Sequence, residues 1–476
     1  MKKAVRFLPV VLVLVIGFSS STGCSSYDSG ADGGRIGNPY DVVSNSEYAT
    51  RRQALMNEIE GGVAVIQGAT TPVSDWQFLQ NNDFFYLSGV EIPNAFLVID
   101  AVNKECALFF SLEERDAAGE GIPLDLVRNP VEATGIEKHF PSERLATYLA
   151  DLSSRTSTFY TSFKPEELAR DNSNEKFNAI RNTITRSEWD GRLSRELQFV
   201  EQLKEKFPKV TVSDCSSLIW DLRKIKSPAE IELIRRAGKI GVEAHIALIQ
   251  STAPTVTEKE LAALFEYVCN RAGAQELAYF IILMSGRNHP YGHYHRHDRI
   301  LEDGDFVILD AGPDYGYYNA DISTSFPANG SFSPRQRELY QLAYDIRQVC
   351  LDNYRPGITF GDVGRKVEEF LAGSGFDPSE QRFRGLVRYG GYNHSIGMAT
   401  HDVMGSFNGP DEILEPGFVF ACDINMPYDE EFGLRLEDTV VITEDGCENL
   451  SPGLPRTVAE IEALMRMSGI VQQLRK

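Results

Sequence analysis

Twice in its C-terminal half the chain runs through the same order of signals, and that repetition limits the folds open to it more than any other feature. Ser227-Pro-Ala-Glu230 reads as a helix start, with a serine cap, proline at the first helical position and a glutamate three residues after the cap. The helix it opens carries Ile231, Ile234, Ala237, Ile240, Ala244, Ala247 and Leu248 on one side. Ser333-Pro-Arg-Gln336 repeats the start, and Leu339, Leu342, Ala343 and Ile346 repeat the stripe. Each helix is followed by a second start, Thr257-Glu-Lys-Glu260 and Thr359-Phe-Gly-Asp362. Each unit then closes on a strand, Asp305-Phe-Val-Ile-Leu309 or Phe418-Val-Phe-Ala-Cys422, that runs into a carboxylate. A helix–helix–strand–strand unit of about 105 residues thus occurs twice. It predicts an α+β domain of two pseudo-twofold halves with a site between them.

The carboxylates carry the chemistry. Asp310 ends the first strand and Asp321 begins the next segment, Asp321-Ile-Ser-Thr-Ser-Phe326; in the second half Asp423 ends a strand and Glu437 begins Glu437-Asp-Thr-Val-Val-Ile442. Antiparallel pairing would set such residues side by side, and two related hairpins would aim all four acids at one place. Taken singly, an acid at a strand end is an ordinary solvated turn residue or cap. Taken together they cannot all ionise unaided, because like charges about 4 Å apart cost several kcal/mol in a poorly hydrated site. Two divalent cations would neutralise them and activate a water molecule. Other chemistries lack their residues: there is no Gly-x-x-x-x-Gly-Lys-Ser/Thr phosphate loop, no His-Glu-x-x-His helix and no convincing serine nucleophile elbow.

The first half reads differently. Of 476 residues, 42% are hydrophobic and 24% charged, which is a globular composition for two or three domains. Acidic residues outnumber basic ones 68 to 47, for a net charge of −21. That field repels phosphate backbones, so a nucleic-acid partner is not expected. Residues 1–24 have the form of an export signal: Met1-Lys2-Lys3 and Arg6, then an apolar run from Phe7 to Phe18 too short to span a bilayer of about 30 Å. Ser21-Thr-Gly-Cys24 resembles the lipobox of bacterial lipoproteins, which implies a chain exported to the cell envelope and held to the membrane only by a lipid on Cys24; Ser21 stands where the lipobox usually has Leu, so plain secretory cleavage stays open as the alternative. Ser25 in the next position points towards the outer membrane. Residues 25–45, rich in Ser, Gly and Asp, read as a flexible tether. Residues 46–215 alternate strand and helix signals, an α/β domain. Val63–Gln67, Phe84–Leu87, Ala95–Ile99 and Ala107–Phe110 are the strand candidates, with helices near Arg51–Glu60, Ser142–Leu152 and Leu193–Lys206. The six later cysteines form no Cys-x-x-Cys, and Cys106 and Cys422, inside apolar runs, read as buried thiols.

Several segments in fixed order match one family. Asp310-Ala-Gly, Asp321-Ile-Ser-Thr-Ser-Phe-Pro327, Asn393-His-Ser-Ile-Gly-Met398 and Gly433-Leu-Arg-Leu-Glu-Asp438 resemble the pita-bread metallopeptidases, a family that includes aminopeptidase P, prolidase, methionine aminopeptidase and creatinase. Gln80-Asn-Asn-Asp-Phe-Phe-Tyr-Leu-Ser-Gly89 and Pro93-Asn-Ala-Phe-Leu-Val98 are similar to the N-terminal domain of aminopeptidase P. The resemblance covers about residues 46–464, leaving residues 216–476 as the pita-bread domain. It implies metal ligands Asp310, Asp321, His394, Asp423 and Glu437, holding two divalent ions, Mn²⁺ first and Zn²⁺ or Co²⁺ as alternatives. It also implies that His293 and His401 donate to the scissile carbonyl, that Arg435 fixes a ligand carboxylate through its planar fork, and that Asp423 moves the proton.

The implied reaction is removal of the N-terminal residue from peptides with proline second. The chain departs from the family at three places. Asp423 stands where the family has Glu, Gly390 where aminopeptidase P has a further His, and no Trp lies between Trp76 and Trp189. Two alternatives stay open: a prolidase restricted to Xaa-Pro dipeptides, and a binding module of the same fold without peptidase activity. Within His289-Pro-Tyr-Gly-His-Tyr-His-Arg-His297, His293 aligns with the substrate-site position, although a His-rich surface loop is a competing reading. Relatives in the family imply a homodimer or homotetramer.

Overall fold

The computed structural model describes residues 42–59, 61–72, 77–403, 409–427 and 431–475. The leader with Cys24, most of the tether and Trp76 lie outside the described residues. No helix among the described residues is long and apolar enough to cross a membrane.

Helix α1 (Asn45–Glu58) begins where the Ser44 side chain accepts the Glu47 N–H. Six strands follow in one mixed sheet: β1 (Val63–Gln67), β2 (Phe96–Asp100), β3 (Glu105–Phe109), β4 (Lys138–Phe140), β5 (Thr158–Thr161) and β6 (Thr211–Asp214), in the spatial order β4-β3-β2-β1-β5-β6. Alternation divides its two faces. Val63, Val65, Val98, Phe109 and Phe159 pack with Leu149 and Leu203 from flanking helices, whereas Ala64, Ile66, Leu97 and Ile99 face the main core of the molecule.

The run Phe84–Leu87, expected as a strand, is instead part of helix α2 (Asn82–Ser88). The Asn81 side chain caps it by accepting the Asp83 N–H, and Gly89 ends it in the left-handed region at φ 66°. All seven residues of α2 are buried. A short run apolar on every side does not distinguish a buried helix from a buried strand, and the caps decide it. Phe85 of α2 stacks on Tyr317 at 4.1 Å between ring centroids, joining the first domain to the second.

The repeat predicted from the sequence is present. Helices α3 (Pro228–Ser251), α4 (Glu258–Arg271), α5 (Pro334–Asn353) and α6 (Phe360–Gly373) all start with reciprocal capping boxes, at Ser227, Thr257, Ser333 and Thr359. Strand β7 (Glu276–Leu277) pairs with a small hairpin, β10 (Pro313–Tyr315) and β11 (Tyr318–Asn319). The main antiparallel sheet holds β8 (Ile282–Ser285), β9 (Phe306–Asp310), β12 (Ser323–Pro327), β13 (Val419–Met426), β14 (Leu434–Ile442) and β15 (Cys447–Asn449), with the path β13-β14-β12-β9-β8 and β15 on β14. Two expectations change in detail. Asp423 lies within β13 rather than at its end, and Glu437 is fourth in β14 rather than first. Both strands run on and are buried almost throughout: apolar Cys422 and Ile424 flank Asp423, and in β14 Leu436 precedes Glu437 and Val440–Ile442 carry the strand on beyond Asp438 and Thr439. Cys106 and Cys422 are buried free thiols.

A charged knot ties the domains together. The Arg223 guanidinium, 1% exposed, donates to Asp83 at 2.7 Å, Glu167 at 2.8 Å and Asp402 at 2.7 Å. Lys226 reaches the other Asp402 oxygen at 3.0 Å. Burial lifts the Asp83 carboxyl to about 6 despite Arg223. Burial also acts on Asp402, but its two cations outweigh it and hold it below the usual range. Replacing Arg223 with Met would leave three buried carboxylates short of their cation. We expect a loss of about 3–5 kcal/mol in unfolding free energy, measured by urea titration.

Candidate metal centre

Register builds the site. Ser323 on β12 lies opposite Asp310 on β9 and opposite Glu437 on β14, and Glu437 lies opposite Asp423 on β13. Directly opposed residues share a face, so Asp310, Ser323, Glu437 and Asp423 form one row across four strands. Asp321, two residues before Ser323, joins them from just ahead of β12. Asp310 and Asp321 are therefore not a cross-strand pair; a small serine occupies the position between Asp310 and Glu437.

The acids are almost sealed: Asp310 is 5% exposed, Asp321 4%, Glu437 2% and Asp423 8%. Asp321, His394 and Glu437 offer ligand atoms within 4.8 Å of one another. His394 Nε2 stands 3.5 Å from Asp321 Oδ2 and 3.5 Å from Glu437 Oε1. Its Nδ1 donates to the Thr400 carbonyl at 3.0 Å, which leaves Nε2 with a lone pair aimed at the acids. Ser323 Oγ donates to Glu437 Oε2 at 2.6 Å. Thr439 Oγ1 accepts the Asp321 N–H and donates to the Asp321 carbonyl, both at 2.9 Å, fixing the backbone that presents that carboxylate.

Burial raises the carboxyls of Asp310, Asp321 and Asp423, and repulsion from Glu437 adds to it in all three; Arg435 pulls Asp310 and Asp423 part of the way back. Burial also acts on Glu437, but contacts with His394, Ser323 and Arg435 outweigh it, and its carboxyl sits low. Two observations show that the donor set fits a cation. The Tyr279 hydroxyl lies 2.6 Å from Asp310 Oδ1 and 2.5 Å from Asp321 Oδ1, yet it has one hydrogen for two acceptors. Among the described residues Asp423 Oδ1 is buried with no hydrogen-bond partner. Hard oxygen donors with one imidazole suit divalent ions of the Mn²⁺, Zn²⁺ or Co²⁺ kind.

A cavity of about 300 Å³ opens over the row, and His293, His401, Tyr392 and Asn172 share its lining with the acids. The His-rich run splits by role. His293 reaches the cavity. His289 is buried: its Nε2 donates to the Phe306 carbonyl at 3.0 Å and its Nδ1 accepts the Gly433 N–H at 2.9 Å. Burial pushes it down to about 4, so it is a neutral part of the scaffold. His295 bonds the His293 carbonyl and His297 the Ile281 carbonyl, each at 3.0 Å. Arg435 binds Asp310 through Nη1 alone, while Nη2 reaches the Gly292 carbonyl at 3.4 Å. The two prongs of its fork thus serve different partners. Gly390, where the resemblance to aminopeptidase P predicts a histidine, ends a helix at φ 68°, and a Cβ there would meet Val363 Cγ1 at 2.6 Å. A side chain at this position would be strained by the backbone and crowded by Val363.

Tyr279, Ser323, Thr439 and Asn172 were not anticipated. Ser323 could have been found, because strand alternation from Asp321 places it on the same face. Tyr279 carries no local signal; it lies 31 residues from Asp310 in the chain.

Comparison with known proteins agrees with this geometry. Residues 232–444 match the profile of metallopeptidase family M24, and residues 48–160 match that of the aminopeptidase P N-terminal domain. The Xaa-Pro aminopeptidase of Escherichia coli is 30% identical over 475 residues, covering 89% of this chain and 98% of that one. Pseudomonas aeruginosa aminopeptidase PepP superposes with a TM-score of 0.72 at 27% identity, covering 89% and 98%. A zinc-substituted E. coli aminopeptidase P solved in complex with product gives 0.71 at 28% identity, with the same coverage. A two-domain α/β and pita-bread fold around buried acids defines a metallohydrolase, and divalent metal ions belong to that class. The chain is a member of metallopeptidase family M24, close to aminopeptidase P.

The raised carboxyls predict a pH dependence. Their folded-state pKa values lie above the unfolded ones, so without metal they contribute stability in acid and lose it as pH rises through the raised values. A bound cation competes with those protons and matters most where they are gone. The gain in melting temperature on adding Mn²⁺ to chelator-treated protein should therefore be larger at pH 8 than at pH 5. Equal gains would place the ion elsewhere.

Proposed function

We propose that this chain removes the N-terminal residue from peptides with proline in the second position, using a pair of divalent ions held by Asp310, Asp321, His394, Asp423 and Glu437. The observation that carries the reading is the convergence of Asp321, His394 and Glu437 within 4.8 Å, on a sheet whose register adds Asp310 and Asp423 to the same face. When bound, the ions would draw the peptide's free amine and scissile carbonyl into the cavity and lower the pKa of water there. Mn²⁺ is the ion we favour, on the predominance of carboxylate donors.

The chain's own side chains account for the remaining steps. His293 and His401, both lining the cavity, are placed to donate to the carbonyl oxygen as charge develops on it. Asp423, with Oδ1 uncommitted, takes up the proton and returns it to the leaving amine. Arg435 holds Asp310 in place against the repulsion of its neighbours. Low solvent access strengthens each of these interactions. For residues 1–24 we propose export with lipidation at Cys24, and for the assembly a homodimer or homotetramer; mass spectrometry of the mature N-terminus and light scattering test these.

Turnover of an Xaa-Pro tripeptide or longer peptide, compared with the matching Xaa-Pro dipeptide, tests the reading directly. We expect the longer peptide to be cleaved faster, and Asp310→Asn to lower kcat by about 10³-fold or more. Asp423→Asn should lower kcat by about 10²-fold, with Asp423→Glu remaining active. Cleavage of the dipeptide alone would indicate a prolidase. Unimpaired turnover in Asp310→Asn would overturn the proposal.

A further inference from the structure

His401 stands on the wall of the metal cavity, yet the groups that hold it come from a part of the chain some 229 residues earlier. Asn172, Ser173 and Glu175 lie at the start of the helix Ser173–Ile180. The Asn172 side-chain oxygen accepts the His401 backbone N–H at 3.2 Å, and the Ser173 N–H donates to the His401 carbonyl at 3.1 Å. Glu175 Oε1 lies 2.6 Å from His401 Nδ1. Backbone donor, backbone acceptor and ring are thus each engaged by one short segment. A carboxylate at this distance accepts, so Nδ1 carries the hydrogen and Nε2 is the nitrogen left for the cavity.

His394 is held differently. Its Nδ1 is bound within its own loop by the Thr400 carbonyl, and its ring centroid lies 4.2 Å from that of His401. The two histidines are neighbours whose orientation comes from separate sources. The segment that holds His401 falls between residues 48–160 and 232–444, outside both matched family profiles.

We propose that Glu175 is a positioning residue for His401, supplied by the first domain, which fixes the ring with Nε2 presented to the peptide carbonyl. The proposal rests on the peptidase reading above. Because Glu175 is itself half-exposed, its replacement removes no core packing. Holding the ring's orientation, with Nε2 aimed so that its own hydrogen can be donated, is worth most in the transition state, so loss of Glu175 should appear in kcat more than in KM.

Glu175→Ala should lower kcat on an Xaa-Pro tripeptide about 10-fold with KM changed less than about twofold. The double variant Glu175→Ala/His401→Ala should be no slower than His401→Ala alone, because Glu175 has nothing left to position. Glu175→Gln keeps an acceptor oxygen and should retain most of the rate. A Glu175→Ala enzyme within about twofold of wild type, losses that multiply in the double variant, or a Gln variant as slow as the Ala variant would each overturn the proposal. A readout independent of turnover separates its failure from that of the peptidase reading. With the contact that holds the ring removed, His401 in Glu175→Ala should change its rate of reaction with diethylpyrocarbonate, followed by peptide mass spectrometry. An unchanged rate would overturn the contact, whereas a wild type that cleaves no proline peptide would overturn only the function.

Discussion

Four acidic side chains on neighbouring strands, turned to one face and nearly closed to water, set the terms for the rest of the molecule. Burial raises three of them, Asp310, Asp321 and Asp423, and repulsion from Glu437 adds to it, so the folded chain tolerates the row only with compensating groups around it. Those groups are present and specific. Arg435 lies against Asp310, the Tyr279 hydroxyl sits between Asp310 and Asp321, and Ser323 donates to Glu437 from the middle of the row. On β14 the next residue, Asp438, points the other way and is bound by Arg347 and Arg456; burial opposes it, but the two guanidiniums hold its carboxyl well below the usual range. Arg456 also donates to the carbonyls of Ser323 and Glu437, so the strand pair that carries the site is clamped from behind. Among the described residues, Asp423 Oδ1 is the carboxylate oxygen of the row that is buried without a hydrogen-bond partner.

The first domain is part of this arrangement rather than an appendage. Asp83 and Glu167 meet Arg223 and, through it, Asp402, the residue after His401. Asn172 and Ser173 grip the His401 backbone from the other side. The C-terminal end of the loop between His394 and Asp402 is therefore held from two sides by groups distant in sequence. A loop so constrained can present two imidazoles to a substrate without reorganising when it arrives.

Much of this was legible from residues alone, for reasons that can be named. The four capping boxes are local patterns in which cap and partner are three residues apart, and all four form. The metal-facing acids could be named because strand alternation and an ordered set of motifs point to them. What was not legible depends on distance or on competing local preferences. Phe84–Leu87 has the composition of a strand, but Asn81 and Gly89 close a helix around it. Asp423 reads from the sequence as a strand end because a carboxylate after an apolar run is an ordinary terminator, whereas the strand runs on to Met426. Arg223 gathers partners 140, 56 and 179 residues away, and no periodicity encodes that. Gly390, a departure from the expected aminopeptidase P pattern, sits in the αL region against Val363, a strain no sequence pattern announces.

The central claim is that this row of acids is a dinuclear metal centre, completed by Asp423 despite its shorter side chain. Metal content by plasma mass spectrometry tests it most directly, on protein lacking residues 1–24, loaded with Mn²⁺ and dialysed. The account predicts about two ions per chain, falling in Asp310→Asn and Asp423→Asn. One ion would show that Asp423 does not reach the second position, and none would contradict the account.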